Sequence, residues 1–189
     1  MSRLRERVNL EKCRQLAEAN PDSAGAHLRL GTALMKVGFA GKAEASLARA
    51  VELDPTCIQG WVNLGGLRLG RWDFQGCIEA NRRALEQQPD LVEALFNKGL
   101  GHLYAGDTEA MLDCFRRVVE LDPGRGGGQY FLAVGLLATG DIAGAEEHLG
   151  RAVGLGYSPH PDFVKAMERV AREDSVTVLE FGPESKHSA

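Results

Sequence analysis

A chain of 189 residues with a formal net charge of -4 is long enough for one domain or one array of small repeats. Its 44% hydrophobic and 25% charged residues are an ordinary globular composition. The acidic balance argues against a general nucleic-acid binder, and without a run of about eighteen apolar residues no membrane insertion is expected.

The opening stretch, MSRLRERVNLEKC, is positively charged but has no apolar run behind it, so it does not read as a secretory signal. Leu4, Val8, Leu10, Cys13, Leu16 and Ala17 fall largely at helical spacing. Asn20-Pro21-Asp22 stops that helix, because a residue before proline avoids the α region. From there the chain repeats itself. Gly31, Gly65, Gly99 and Ala133 are spaced by thirty-four residues, as are Pro21, Pro55, Pro89 and Pro123. Each unit holds two amphipathic runs, joined by a turn at Gly38, Trp72, Gly106 or Gly140. A fixed period of this size marks stacked supersecondary units.

Beyond the last unit, Ser158-Pro159-His160-Pro161 gives a start signal for a further helix, with Phe163, Ala166, Met167 and Val170 on one face. After Asp174 the run Val176, Val178, Leu179 and Phe181 is apolar and β-prone, with no sheet expected to receive it. The cluster Gly124-Arg125-Gly126-Gly127-Gly128 could cradle a phosphate at a helix start. It lacks the Lys-Ser/Thr pair and the preceding strand of a phosphate loop, so it reads as a frayed first turn.

The period, the Leu30-Gly31 and Leu64-Gly65 pairs, Trp61, the small-residue place of the second helix at Ala43, Cys77, Met111 and Ala145, and the closing prolines together resemble the tetratricopeptide repeat (TPR) family. His27 and Gln129 depart from the pattern at its tryptophan place, Lys98 at its leucine place and Tyr157 at the fourth proline place. The resemblance implies an all-α, right-handed solenoid of helix hairpins with a capping helix at each end. Its expected parts are a half repeat at 1–23, repeats at 24–57, 58–91, 92–125 and 126–159, a capping helix at 160–174 and an apolar tail at 175–189.

Chemistry is sparse. The four cysteines, Cys13, Cys57, Cys77 and Cys114, show no metal spacing, and a reducing, cytoplasmic setting is the expectation. The five histidines form no HxxxH or HExxH pattern, and no Ser/His/Asp or Cys/His set stands out. Neither an enzyme nor a cofactor is expected.

Surface remains. In the resembled family the first helix of each repeat lines a concave groove. Projected here, that groove carries Arg29 and Lys36 in the first repeat and Asn63 in the second. Phe96, Asn97 and Tyr104 follow in the third, and Tyr130 and Phe131 in the fourth. Asn63 and Asn97 occupy one position a repeat apart, and an amide there can both donate to and accept from an extended peptide backbone. The carboxylate clamp of chaperone-binding members is not matched, since Leu28 and Thr32 flank Gly31. Trp72, at a turn where glycine is usual, is a second candidate contact.

The expected function is a non-catalytic interaction module, an adaptor or assembly factor that binds a protein or peptide segment. The alternatives are a chaperone like those of type III secretion, and a self-assembling scaffold like the magnetosome-associated members. In the scaffold, residues 175–182 of one molecule would enter the groove of another.

Overall fold

The computed structural model describes residues 2–180, with side chains described over residues 5–170. Ten α-helices follow one another: α1 (Ser2–Ala19), α2 (Ala24–Lys36), α3 (Ala40–Leu53), α4 (Ile58–Leu69), α5 (Phe74–Gln87), α6 (Val92–Ala105), α7 (Thr108–Leu121), α8 (Gly126–Ala138), α9 (Ile142–Gly154) and α10 (Pro161–Glu180). No strand occurs among the described residues. They form two compact units, divided between Leu121 and Asp122.

Local chemistry that recurs from hairpin to hairpin punctuates the chain, although α3 starts on Phe39 without a side-chain cap. The second helix of three hairpins starts on an aspartate whose carboxylate accepts a backbone N–H three residues on. These bonds are Gly76 to Asp73 at 2.9 Å, Ala110 to Asp107 at 3.1 Å and Gly144 to Asp141 at 2.9 Å. Such caps satisfy donors that a helix start leaves without partners. The turn before each second helix needs a left-handed residue, with φ of 82° at Gly38, 79° at Gly106 and 84° at Gly140. Trp72 holds that place in the second repeat at φ 65°.

A β-carbon added at Gly106 would meet nothing within 4 Å. Gly106→Ala is therefore a clean measure of backbone strain, and a loss of about 1 kcal/mol is expected. Urea denaturation reads it, and an unmoved midpoint would show that this turn relaxes away from the left-handed region.

In the first unit the core is a series of small clusters between successive helices. Leu10 of α1 packs with Ala33, Leu34 and Ala43, so the half repeat caps the apolar end of the first hairpin. Leu47, Val51, Leu64 and Ala80 form the next layer, followed by Val62, Ala84 and Ala94. Within each hairpin the two helices close tightly. A β-carbon at Gly31 would lie 2.7 Å from Leu47 Cγ, and one at Gly99 would lie 2.9 Å from the Phe115 ring. The small residue of the period is there because its partner, sixteen residues on, is large and fully buried.

The second unit stacks α8, α9 and α10. Its centre is aromatic: Tyr130 stacks on Tyr157 at 4.9 Å and meets Phe131 and Phe163 edge-on at 5.1 and 5.3 Å. Phe163 thus brings α10 against α8, and Met167, four residues on, is buried. Two expectations change here. The glycine cluster does not fray, because α8 begins regularly at Gly126, whose missing β-carbon would stand 3.0 Å from Tyr157 Cβ. Close approach explains that glycine. The expected helix end at residue 174 is also passed, since α10 runs on to Glu180 instead of giving way to a β-prone tail. Phe181 and the rest of the expected tail lie outside the described residues.

Candidate functional site

The first helices α2 and α4, with the half-repeat helix α1, border an open hollow of about 520 Å³ in the first unit. Leu16, Leu28, Cys13 and Ala33 give it an apolar lining, while Lys12, Arg29, Lys36, Asn9, Gln59 and Asn63 stand around them. Three residues expected in the groove from sequence, Arg29, Lys36 and Asn63, are brought together there.

Asn63 is held in a polar ladder. Its amide donates to Thr32 Oγ1 at 3.2 Å and accepts from Gln59 Nε2 at 2.9 Å. Thr32 in turn donates to the Leu28 carbonyl at 2.8 Å. An amide has two N–H groups and two lone-pair sites, so one of each remains for another molecule. Asn97 shares the position but not the ladder: one period after Thr32 stands Gly66, which offers no hydroxyl, and a β-carbon there would lie 3.6 Å from Asn97 Nδ2. Each asparagine reaches back to the first helix of the preceding repeat.

The aromatic residues of the expected groove separate into different environments. Phe96 is half-buried, edge-on to the fully buried Phe115 at 5.5 Å, and serves the hairpin core. Tyr130 is a correction. It is 7% exposed, covered by Tyr157 and Phe163 within the second unit, and cannot present its ring to a ligand. Phe131 packs edge-on against it and is only partly exposed. Tyr104 is exposed but stacks on Phe74 at 5.3 Å, near the turn. Trp72 joins these two rings edge-on at 6.0 and 6.3 Å and is still 77% exposed. It folds back and remains accessible at once, and the ring contacts offset part of its left-handed backbone.

A pattern that sequence reading missed explains His27 and Gln129. Trp61 donates its indole N–H to the Pro55 carbonyl at 2.9 Å. His27 Nε2 reaches the Pro21 carbonyl at 2.8 Å, and Gln129 Nε2 donates to that of Pro123 at 3.1 Å. Both replacements keep the tryptophan's N–H tether from the first helix to the preceding proline turn. The shared donor was the available signal, hidden because His and Gln do not look like Trp. Gln129 is 2% exposed and accepts from His148 Nδ1 at 2.6 Å. Burial lowers the His148 pKa below its usual value, and a neutral ring can hold this bond.

Among the described residues no group of His, Cys, Asp and Glu is placed to hold a metal ion. Burial pushes the Cys77 thiol up to about 11, which makes it a filler and not a nucleophile. No helix among the described residues is long and apolar enough to cross a membrane.

Residues 92–125 match the family model described as tetratricopeptide repeat. No curated protein matches the chain in sequence. Among solved structures it resembles MamA, with a TM-score of 0.73 and 20% identity over 78% of this chain and 86% of that one. A MamA fragment from Desulfovibrio magneticus gives a TM-score of 0.74 and 17% identity over 80% and 85%. YrrB, described as a TPR protein with an unusual peptide-binding site, gives a TM-score of 0.72 and 20% identity over 90% and 86%.

Proposed function

We propose that this chain, a tetratricopeptide-repeat protein, is a non-catalytic interaction module that holds an extended segment of a protein partner in the groove of its first unit. The observation that carries this reading is the placement of Asn63, fixed by Thr32 and Gln59 with hydrogen-bonding capacity left over. A side chain already ordered loses little entropy when it grips a ligand. The peptide-binding site in the description of YrrB, which shares the fold, supports the same use of the scaffold. We assign it the role of an adaptor or assembly factor, in which one bound segment brings its owner to a larger complex.

The test is affinity capture from native lysate with wild type and with Asn63→Ala/Asn97→Ala, followed by peptide-array mapping of what is captured. One partner, bound through one continuous segment and weakened about tenfold or more by the double substitution, is the expected result. Capture that is indifferent to both asparagines would move the binding surface elsewhere on the chain.

A further inference from the structure

We propose that the segment taken by the hollow between α1, α2 and α4 is acidic, with its carboxylates on Lys12, Arg29 and Lys36 and its apolar side chains on Leu16 and Leu28. This partner chemistry rests on the groove reading above.

The argument is one of charge left over. On the second helices of the first unit, and in the turn between α4 and α5, arginines are matched by carboxylates. Arg49 pairs with Asp22 at 3.2 Å, Arg71 with Glu44 at 2.7 Å, Arg82 with Glu79 at 2.7 Å, and Arg117 with Asp90 at 2.7 Å. Those faces are neutralised internally. Lys12, Arg29 and Lys36 form no ion pair among the described residues, and no Asp or Glu lines their hollow. Glu6 lines an adjoining hollow with Arg7 and Lys36, which leaves the local balance positive. Three unmatched cations thus border one concavity of a chain whose net charge is -4. A concave wall of low dielectric strengthens such a field and draws in the opposite charge.

The lining decides what kind of anion fits. Leu16 and Leu28 line the same hollow as the cations, and Leu16 is 37% exposed. A bare inorganic anion or a sugar-phosphate chain would leave that apolar surface wet. A peptide that alternates carboxylate and aliphatic side chains covers it, and its backbone meets Asn63 and Gln59. The half-repeat helix therefore does more than cap the stack, since it supplies Lys12 and Leu16 to the site.

The experiment measures fluorescence anisotropy of a labelled decapeptide of Asp, Glu and Leu on the whole chain. The same peptide with Lys in place of its acids, and single-stranded oligothymidylate, serve as controls. Saturable binding of the acidic peptide alone is expected, weakening as salt is raised and falling about tenfold or more in Arg29→Glu/Lys36→Glu. Arg29 and Lys36 are exposed, and circular dichroism confirms the fold of the variant; Lys12→Glu alone provides an independent variant with the same expected direction. Absence of acidic-peptide binding, insensitivity to charge reversal, or equally tight oligothymidylate binding would overturn the proposal. If a captured partner is lost with Asn63→Ala but kept with Arg29→Glu/Lys36→Glu, the groove reading stands and the acidic segment is wrong.

Discussion

Replacing Phe115 with alanine is expected to destabilise the first unit by about 3–5 kcal/mol. Its side chain is fully buried between α6 and α7. Gly99 is a glycine because the ring lies where a β-carbon would go, and Phe96 meets the ring edge-on at 5.5 Å. Truncation removes the burial of a large apolar surface and leaves a cavity that α6 and α7 can close only by moving together. Stability in stacked repeats is a sum of repeat and neighbour terms, so the loss should begin locally. Hydrogen exchange should show faster exchange in α6 and α7, with urea denaturation giving the total. A change below about 1 kcal/mol would mean that the hairpin collapses around the gap, against the close packing inferred for it.

The opposite sign is expected at Asn81. This residue occupies the place filled by Leu47 one repeat earlier and by Phe115 one repeat later, and it is fully buried. Its Nδ2 donates to the Cys77 carbonyl at 2.8 Å, but its Oδ1 has no hydrogen-bond partner in the fold. A buried carbonyl without a partner costs about 1–3 kcal/mol. Losing the bond to Cys77 leaves little behind, since that carbonyl lies within α5 and already serves its helix. Leucine fits, because Gly65 faces position 81 as Gly31 faces Leu47. Asn81→Leu should therefore raise stability by about 1–2 kcal/mol, seen as a higher urea midpoint with an unchanged slope. A lower midpoint would show that the amide holds α4 and α5 together better than apolar packing can.

These two residues also show how far a sequence can be read. The position is obvious in both cases, since the period places 47, 81 and 115 in register. Nothing local reveals that Asn81 is enclosed on all sides, because a lone asparagine at helical spacing reads equally well as an exposed one. The binding surface divides the same way. Arg29, Lys36 and Asn63 lie on the first helices beside one hollow. Tyr130 is shut away, because Tyr157 and Phe163, far along the chain, close over its ring.

What the sequence determined by itself was the set of helix hairpins and their punctuation. Apolar spacing, aspartate caps and the glycines of left-handed turns act within a few residues, so their order along the chain suffices. The tertiary structure alone decided which side chains find partners. It matched the arginines of the second helices to carboxylates up to a repeat away and left Lys12, Arg29 and Lys36 unmatched. It also gave His27, Trp61 and Gln129 one shared task on the preceding proline turns. Exposure and pairing depend on segments distant in sequence, and only the packed repeats bring those segments within reach.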